Sequence, residues 1–240
     1  MAKSANVNTR VYLDEFNLSG DLNSFNQDVT QETPVVTSFS DTGPRRLVAN
    51  YDAMIGFLGF GQFADNGMDE QLHLLLADDA AHYIAILPGA NAIGSIAYEH
   101  VAQFTNMPRS GAIGGAVLHN FDASGRAGMY RGLVLGNKTS TGAESLAGQN
   151  MGTTAATQTF AVTFRLMSFT GTSITMVIQE SSDDAVGDPY ASIAGLTSGA
   201  LSAAGVVRVT TNAVTEAWKR LQTTGTYSSA VILVTAGVLS

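Results

Sequence analysis

The residue types that most often carry chemistry are sparse in this sequence, and their spacing matches no catalytic motif. The four histidines, His73, His82, His100 and His119, form none of the HxH, HxxxH or HExxH patterns that bind a metal. Cysteine is absent, which excludes disulfides, thiolate metal sites and a cysteine nucleophile. No G-x-S-x-G sequence marks a nucleophilic serine. We therefore expect satisfied or surface histidines, although a site assembled through space stays open.

Acidic residues offer two kinds of candidate site. Asp183, Asp184 and Asp188 lie in the segment SSDDAVGDPY, where their carboxylate oxygens suit calcium. Their spacing departs from the alternating ligands of an EF-hand loop, so a solvated hairpin turn is the favoured interpretation. The adjacent acid pairs at 14/15, 69/70 and 78/79 do not converge, because neighbours on a strand or a helix point in different directions. We expect no enzyme activity and no cofactor.

Charge limits the classes of partner. Charged residues make up 13% of the chain, with a net charge of −8, and residues 1–150 hold 15 of the 20 acidic side chains. This balance argues against DNA binding through neutralised phosphates and against binding to anionic membranes.

The N-terminus lacks an apolar run of signal-peptide length, and no apolar stretch is long enough to span a bilayer. We therefore expect a soluble protein made in the cytoplasm.

Alternation of apolar and polar residues predicts a mainly β chain. Residues 159–169 (TFAVTFRLMSF) place Phe160, Val162 and Phe164 on one face, which is the pattern of a half-buried strand. The Thr-Gly-Thr that follows at 170–172 predicts a turn into a second strand over 173–180. The other predicted strands cover residues 10–13, 22–39, 82–87, 93–105, 112–119, 129–135, 206–210, 217–222 and 230–238, and turns rich in Asn, Gly and Thr are predicted between the last three.

Residues 69–81 predict the single helix. Asp69 and Glu70 suit a helix N-terminus, and Leu72, Leu75 and Leu76 share one face.

A composition change predicts two domains. Residues 136–157 are rich in Gly, Ser, Thr and Ala without periodicity, which indicates a long loop or linker. We expect residues 1–150 to form an antiparallel β-sandwich or barrel with one helix. Residues 151–240 are expected to form a second β-sandwich of jelly-roll form.

Several short motifs occur in order along most of the chain. The N-terminal ones are Leu18-Ser19-Gly20, Leu22-Asn23, Glu32, Thr37, Phe39, Arg45 or Arg46, and a glycine-punctuated run over 56–61. YRGLVL at 130–135 and IQESSDD at 178–184 follow. Together they resemble the pattern of the tail tube (major tail) protein family of tailed bacteriophages. The family's aromatic residue after the last motif is missing, and Tyr190 is its nearest substitute.

The resemblance implies a structural virion protein of the bacteriophage tail. Such subunits form homo-oligomeric rings that stack into a tube, whose inner strands join into a barrel used as the channel in DNA ejection. It implies exposed strand edges, which an isolated protein has to protect. The implied partners are copies of itself and other tail proteins; DNA passes without specific binding, and no membrane is involved. The protein is then made in the host cytoplasm and located in the virion tail.

Residues 26–48 are the candidate subunit interface under this resemblance. Arg45 and Arg46 are expected to meet acids on a neighbouring subunit rather than DNA, and an ordinary hairpin is the equal alternative. The candidate contact residues are Glu32, Pro34, Thr37, Phe39, Asp41, Arg45 and Arg46.

The C-terminal part leaves alternatives open. It is either a second tube-like domain, which makes the ring a trimer of two-domain subunits, or an outer decoration of lectin-like form. The alternative function is a carbohydrate- or surface-binding module or a virion decoration protein. Sugar binding is weakened because Trp218 is the only Trp and sugar stacking relies on exposed aromatic rings. A hydrolase built from distant residues is the third hypothesis.

Overall fold

The computed structural model describes residues 8–31, 51–61, 68–89, 91–111, 113 and 115–239. They form an antiparallel, mainly β fold with one helix, which confirms the predicted class. The strands are β1 (Arg10–Leu13), β2 (Phe16–Asn17), β3 (Leu22–Gln31), β4 (Tyr51–Phe60), β5 (His82–Leu87), β6 (Ile96–Asn106), β7 (Arg109–Ser110), β8 (Leu118–Ser140), β9 (Glu144–Ser145), β10 (Gln149–Asn150), β11 (Phe160–Ser181), β12 (Ala191–Leu201), β13 (Gly205–Thr211) and β14 (Trp218–Leu239). The helix is α1 (Met68–Ala77).

The chain divides into two compact units that alternate along the sequence. The first unit contains the described residues of 1–19, 83–99 and 129–239, and the second contains those of 20–82 and 100–128. This division differs from the predicted boundary near residue 150. The physical reason is strand pairing, because β14 is hydrogen-bonded to the part of β8 that precedes that boundary. Independent folding of 1–150 and 151–240 stays a prediction.

The first unit is built on a sheet ordered β12-β11-β14-β8-β6-β5-β1-β2. Its β11–β14 ladder runs from the Phe160–Val238 pair to the Ser181–Trp218 pair. The alternation that predicted a strand from residue 159 is realised, because Phe164 and the other apolar residues on that face of β11 lie in the main core. Burying such side chains supplies the main driving force for this unit.

Two predicted turns in the first unit are wrong. β11 continues through Gly171, and β14 joins the segments predicted as separate strands over 217–222 and 230–238. The β11–β14 register shifts beside Gly171, where an added Cβ would lie 2.5 Å from the Tyr227 Cα. Gly225 has a φ of 122°, a left-handed value. These glycines mark bulges and close approach of two strands rather than chain reversals.

The segment predicted as a linker, residues 136–157, is partly ordered strand. β8 continues to Ser140, and β9 and β10 each pair with β14. The strand predicted over 112–119 is also displaced, because β8 begins only at Leu118. Short pairings of this kind leave no periodic signal in the sequence.

The second unit contains the three-strand arrangement β3-β4-β8. Alternate residues of β4, including Ile55 and Phe57, are buried. Phe57 stacks on Phe121 of β8 with the ring centroids 4.8 Å apart. One face of this sheet is therefore core, as the alternation of a half-buried strand requires.

The predicted helix is present but shorter than expected. α1 begins at Met68 and ends at Ala77, and it buries Leu72. The Asp78 carboxylate accepts a hydrogen bond from the Ala80 N–H at 2.9 Å, a local turn that competes with continued helix. Among the described residues, no helix has the length and apolar character needed to cross a membrane.

Candidate functional site

The histidines of the described chain do not converge on a metal centre. His73 is exposed, whereas His82, His100 and His119 are buried. The His119 Nε2 lies 3.5 Å from an oxygen of Asp69, which pairs with a nearby guanidinium. Burial lowers the pKa of His119, which favours the neutral ring. Over the ranges that the structure describes, no three His, Cys, Asp or Glu side chains are grouped as metal ligands.

The three acids of the candidate calcium site hold a turn between β11 and β12. The Asp183 carboxylate accepts hydrogen bonds from the N–H groups of Gly187 at 2.6 Å and Asp188 at 3.1 Å. The bond from the Asp188 N–H is the main reason that the pKa of Asp183 is lowered. Asp184 accepts a hydrogen bond from the Tyr190 hydroxyl at 2.6 Å. The oxygens of Asp183 and Asp184 thus already serve the turn, and calcium binding stays a prediction.

A fully buried ion pair joins Arg165 of β11 to Glu99 of β6 in the first unit. Both side chains are 0% exposed. The two guanidinium ends donate to the two carboxylate oxygens, a bidentate geometry. Arg165 also donates to the carbonyl oxygens of Asp14 at 2.8 Å and Tyr83 at 3.1 Å. Burial acts to lower the pKa of Arg165, but the Glu99 carboxylate outweighs it, so the pKa is raised.

Hydroxyl groups extend this ion pair across the sheet. Thr235 of β14 donates to the Glu99 carboxylate at 2.7 Å. Tyr130 of β8 donates to the Thr235 carbonyl oxygen at 3.0 Å and lies 3.1 Å from the hydroxyl of Thr163. Burial raises the pKa of Tyr130, which keeps its hydroxyl protonated. The network ties strands together through satisfied buried polar groups and exposes no reactive atom, so its role is structural.

The sequence does not predict this network, because its members are far apart along the chain. In the alternation of residues 159–169, Arg165 falls on the face opposite to Phe160, Val162 and Phe164. An arginine within an otherwise apolar strand is the available signal, since buried charges require a partner. Nothing in the sequence identifies Glu99 as that partner.

Strand β3 lies at an edge of the sheet that the described residues of the second unit form. Among the described residues it pairs with β4 alone. After a register shift near Leu22, the ladder is regular from Ser24 to Gln31. Its sequence, LNSFNQDVTQ, carries one charge, Asp28, and contains neither Lys nor Pro, the residues that commonly protect edges. The edge is suited to accept another strand.

Strand β12, at one end of the sheet of the first unit, has a distorted edge. Its pairing with β11 contains two register shifts. Gly195 and Gly199 have left-handed φ values of 83° and 68°. Bulges and kinks of this kind make an edge a poor template for pairing.

The candidate interface residues lie outside the described part of the chain. This holds for Glu32, Pro34, Thr37, Phe39, Asp41, Arg45 and Arg46. Their role stays a prediction. Only the beginning of the predicted interface, residues 26–31, is described, and it forms the second half of β3.

Aromatic residues of the C-terminal part offer limited support for sugar stacking. Trp218 is half-buried. The Arg220 guanidinium lies 4.0 Å from the centroid of the Tyr190 ring, so one face of that ring is occupied. Carbohydrate binding normally uses an open aromatic face.

Comparison with known proteins leaves the family open. No family model and no curated protein matches the sequence. The fold is similar to a chain of the virion of a native gene transfer agent particle, with a TM-score of 0.43, 16% identity, and coverage of 53% of this chain and 97% of that one. A chain from the tail of an empty gene transfer agent particle with C6 symmetry gives a TM-score of 0.39, 16% identity and the same coverage of 53% and 97%.

A third similar structure is the SPP1 Dit (gp 19.1) protein, described as a paradigm of the hub adsorption apparatus in phages that infect Gram-positive bacteria. The TM-score is 0.37 and the identity 12%, over 95% of this chain and 98% of that one. All three similarities are too low to assign a function.

Proposed function

We propose that this protein is a structural subunit of a bacteriophage tail, whose copies join through strand edges into stacked rings that form a channel for DNA. The observation that carries the proposal is the edge of β3 that none of the described strands covers. The motif resemblance of the sequence to tail tube proteins supports it independently. Assembly of this kind needs no catalytic group and no cofactor.

The chemistry of β3 favours pairing with a second copy. An edge strand carries a row of backbone N–H and C=O groups whose hydrogen bonds go to water until another strand arrives. Pairing satisfies them in the ladder geometry, as in other recognition modes that add a strand to a sheet. With one acidic side chain in ten residues, β3 offers little charge repulsion to a partner.

The charge of the chain suits a channel for DNA. A basic lining would retain phosphates, whereas the net charge of −8 disfavours retention. The proposed partners are copies of the chain and other tail proteins, and the proposed location is the virion tail. Within this proposal Arg45 and Arg46 remain candidates for contacts with acids of a neighbouring subunit. The C-terminal part remains either a second tube-like element or a decoration.

The test is electron microscopy of the purified full chain, with sedimentation velocity over a range of concentrations. The expected result is rings or tubes of uniform diameter that grow at the expense of the monomer. A chain that stays monomeric and binds glycans would contradict the proposal and support the surface-binding alternative.

A further inference from the structure

The β3-β4-β8 sheet of the second unit has one solvent-exposed face, which we call the open face. It comprises Ser24, Asn26, Asp28, Thr30, Met54, Gly56, Leu58, Phe60, Leu118, Asn120, Asp122 and Ser124. These residues share one side because directly paired residues of an antiparallel sheet point the same way and alternate along each strand. Met54 is 57% exposed, and Asn26, Asp28 and Asn120 are also exposed, so the described residues leave this face open to solvent.

Strand pairing arranges the open face in rows. One row runs from Asp28 through Met54 to Ser124. The next runs from Asn26 through Gly56 to Asp122. An added Cβ on Gly56 would lie 3.1 Å from an Asp122 carboxylate oxygen, so this carboxylate extends over the glycine.

The charges of these rows are of one sign. Asp28 and Asp122 are acidic, and none of the residues of the open face is basic. The basic residue next along β8, Arg126, donates to the Asp79 carbonyl oxygen and lies 3.7 Å from the Asp79 carboxylate. The positive charge of Arg126 is therefore balanced by Asp79 at the margin of the open face.

The opposite face of the same sheet is covered by protein. Ala53, Ile55, Phe57, Phe121 and Ala123 are each at most 6% exposed. When copies of such a sheet join edge to edge and close into a ring, the side that carries the covering protein needs more space, so it takes the outside of the ring. The open face then faces the inside of the ring.

We infer that the open face lines the channel, with Asp28 and Asp122 as its acidic groups. This inference rests on the proposed function and deepens it by assigning the residues that meet the passing polyanion. Carboxylates at the wall repel phosphates, which disfavours retention of the nucleic acid. The partner class is thus a nucleic acid that passes without being bound.

The absence of cysteine from the sequence allows a clean labelling test. The Asn120→Cys variant places a thiol on the open face, and the Ala194→Cys variant places one on the exposed surface of β12 as the control. Each is reacted with a small maleimide and with a large polymer-linked maleimide, before and after assembly. Both reagents are expected to label both monomers.

In assembled protein, the large reagent is expected to label Asn120→Cys at least roughly tenfold more slowly than Ala194→Cys, while the small reagent labels both, because thiol modification requires access. Equal labelling of the two variants in intact assemblies would overturn the inference and leave the proposed function standing. Failure of the unsubstituted chain to assemble would contradict the proposed function, and the inference with it.

Discussion

At the scale of single residues, the buried Arg165–Glu99 pair has the clearest energetic consequence. Desolvating two charges is costly, and here the cost is offset by bidentate pairing and by hydrogen bonds to backbone carbonyl oxygens. Such a pair contributes less to net stability than its geometry suggests. Removing one partner, however, leaves an uncompensated buried charge.

The Arg165→Met variant is therefore expected to lose about 3–5 kcal/mol of unfolding free energy, measured by urea denaturation. The double variant Arg165→Met with Glu99→Leu should recover part of this loss, because it removes the orphaned carboxylate. A single-variant loss under about 1 kcal/mol would contradict the account of a tightly coupled pair.

At the scale of elements, sequence patterns predicted strands well where alternation was strong. β1 and β5 have the predicted bounds, and β13 extends the predicted strand by one residue at each end. The predicted turns failed because a glycine is compatible with either a chain reversal or a bulge. What decides between them is the backbone of a partner strand, Tyr227 beside Gly171 for example, which is distant in sequence.

The role of Gly225 inside β14 gives an element-scale prediction. Gly225→Ala should lower the unfolding free energy by more than about 1 kcal/mol, because an L residue is strained at this φ and the Cβ would clash with the Ser173 carbonyl oxygen. Gly142→Ala is the control, since an added Cβ there meets no atom within 4 Å. Thermal unfolding of both variants measures the difference; equal losses would contradict the close approach of β11 and β14.

At the scale of the whole molecule, the proposed function depends on how copies meet. Sequence composition and charge predicted a protein with few side chains suited to catalysis or metal binding. They did not predict that β3 would lie at a regular edge of the described sheet while β12 is bulged, because an edge depends on which strands pair in the folded chain. The open face was likewise unpredictable, because it arises only when β3, β4 and β8 are brought into register.

The most direct measurement compares Asn26→Pro with Gln27→Pro in β3, by sedimentation velocity for assembly and urea denaturation for stability. Adjacent amides of a strand point to opposite sides, so one proline removes a hydrogen bond to β4 and the other removes only a donor of the open edge. One variant is expected to fold within about 1 kcal/mol of the unsubstituted chain yet no longer assemble. If the variant that keeps its stability assembles as before, copies do not join through β3.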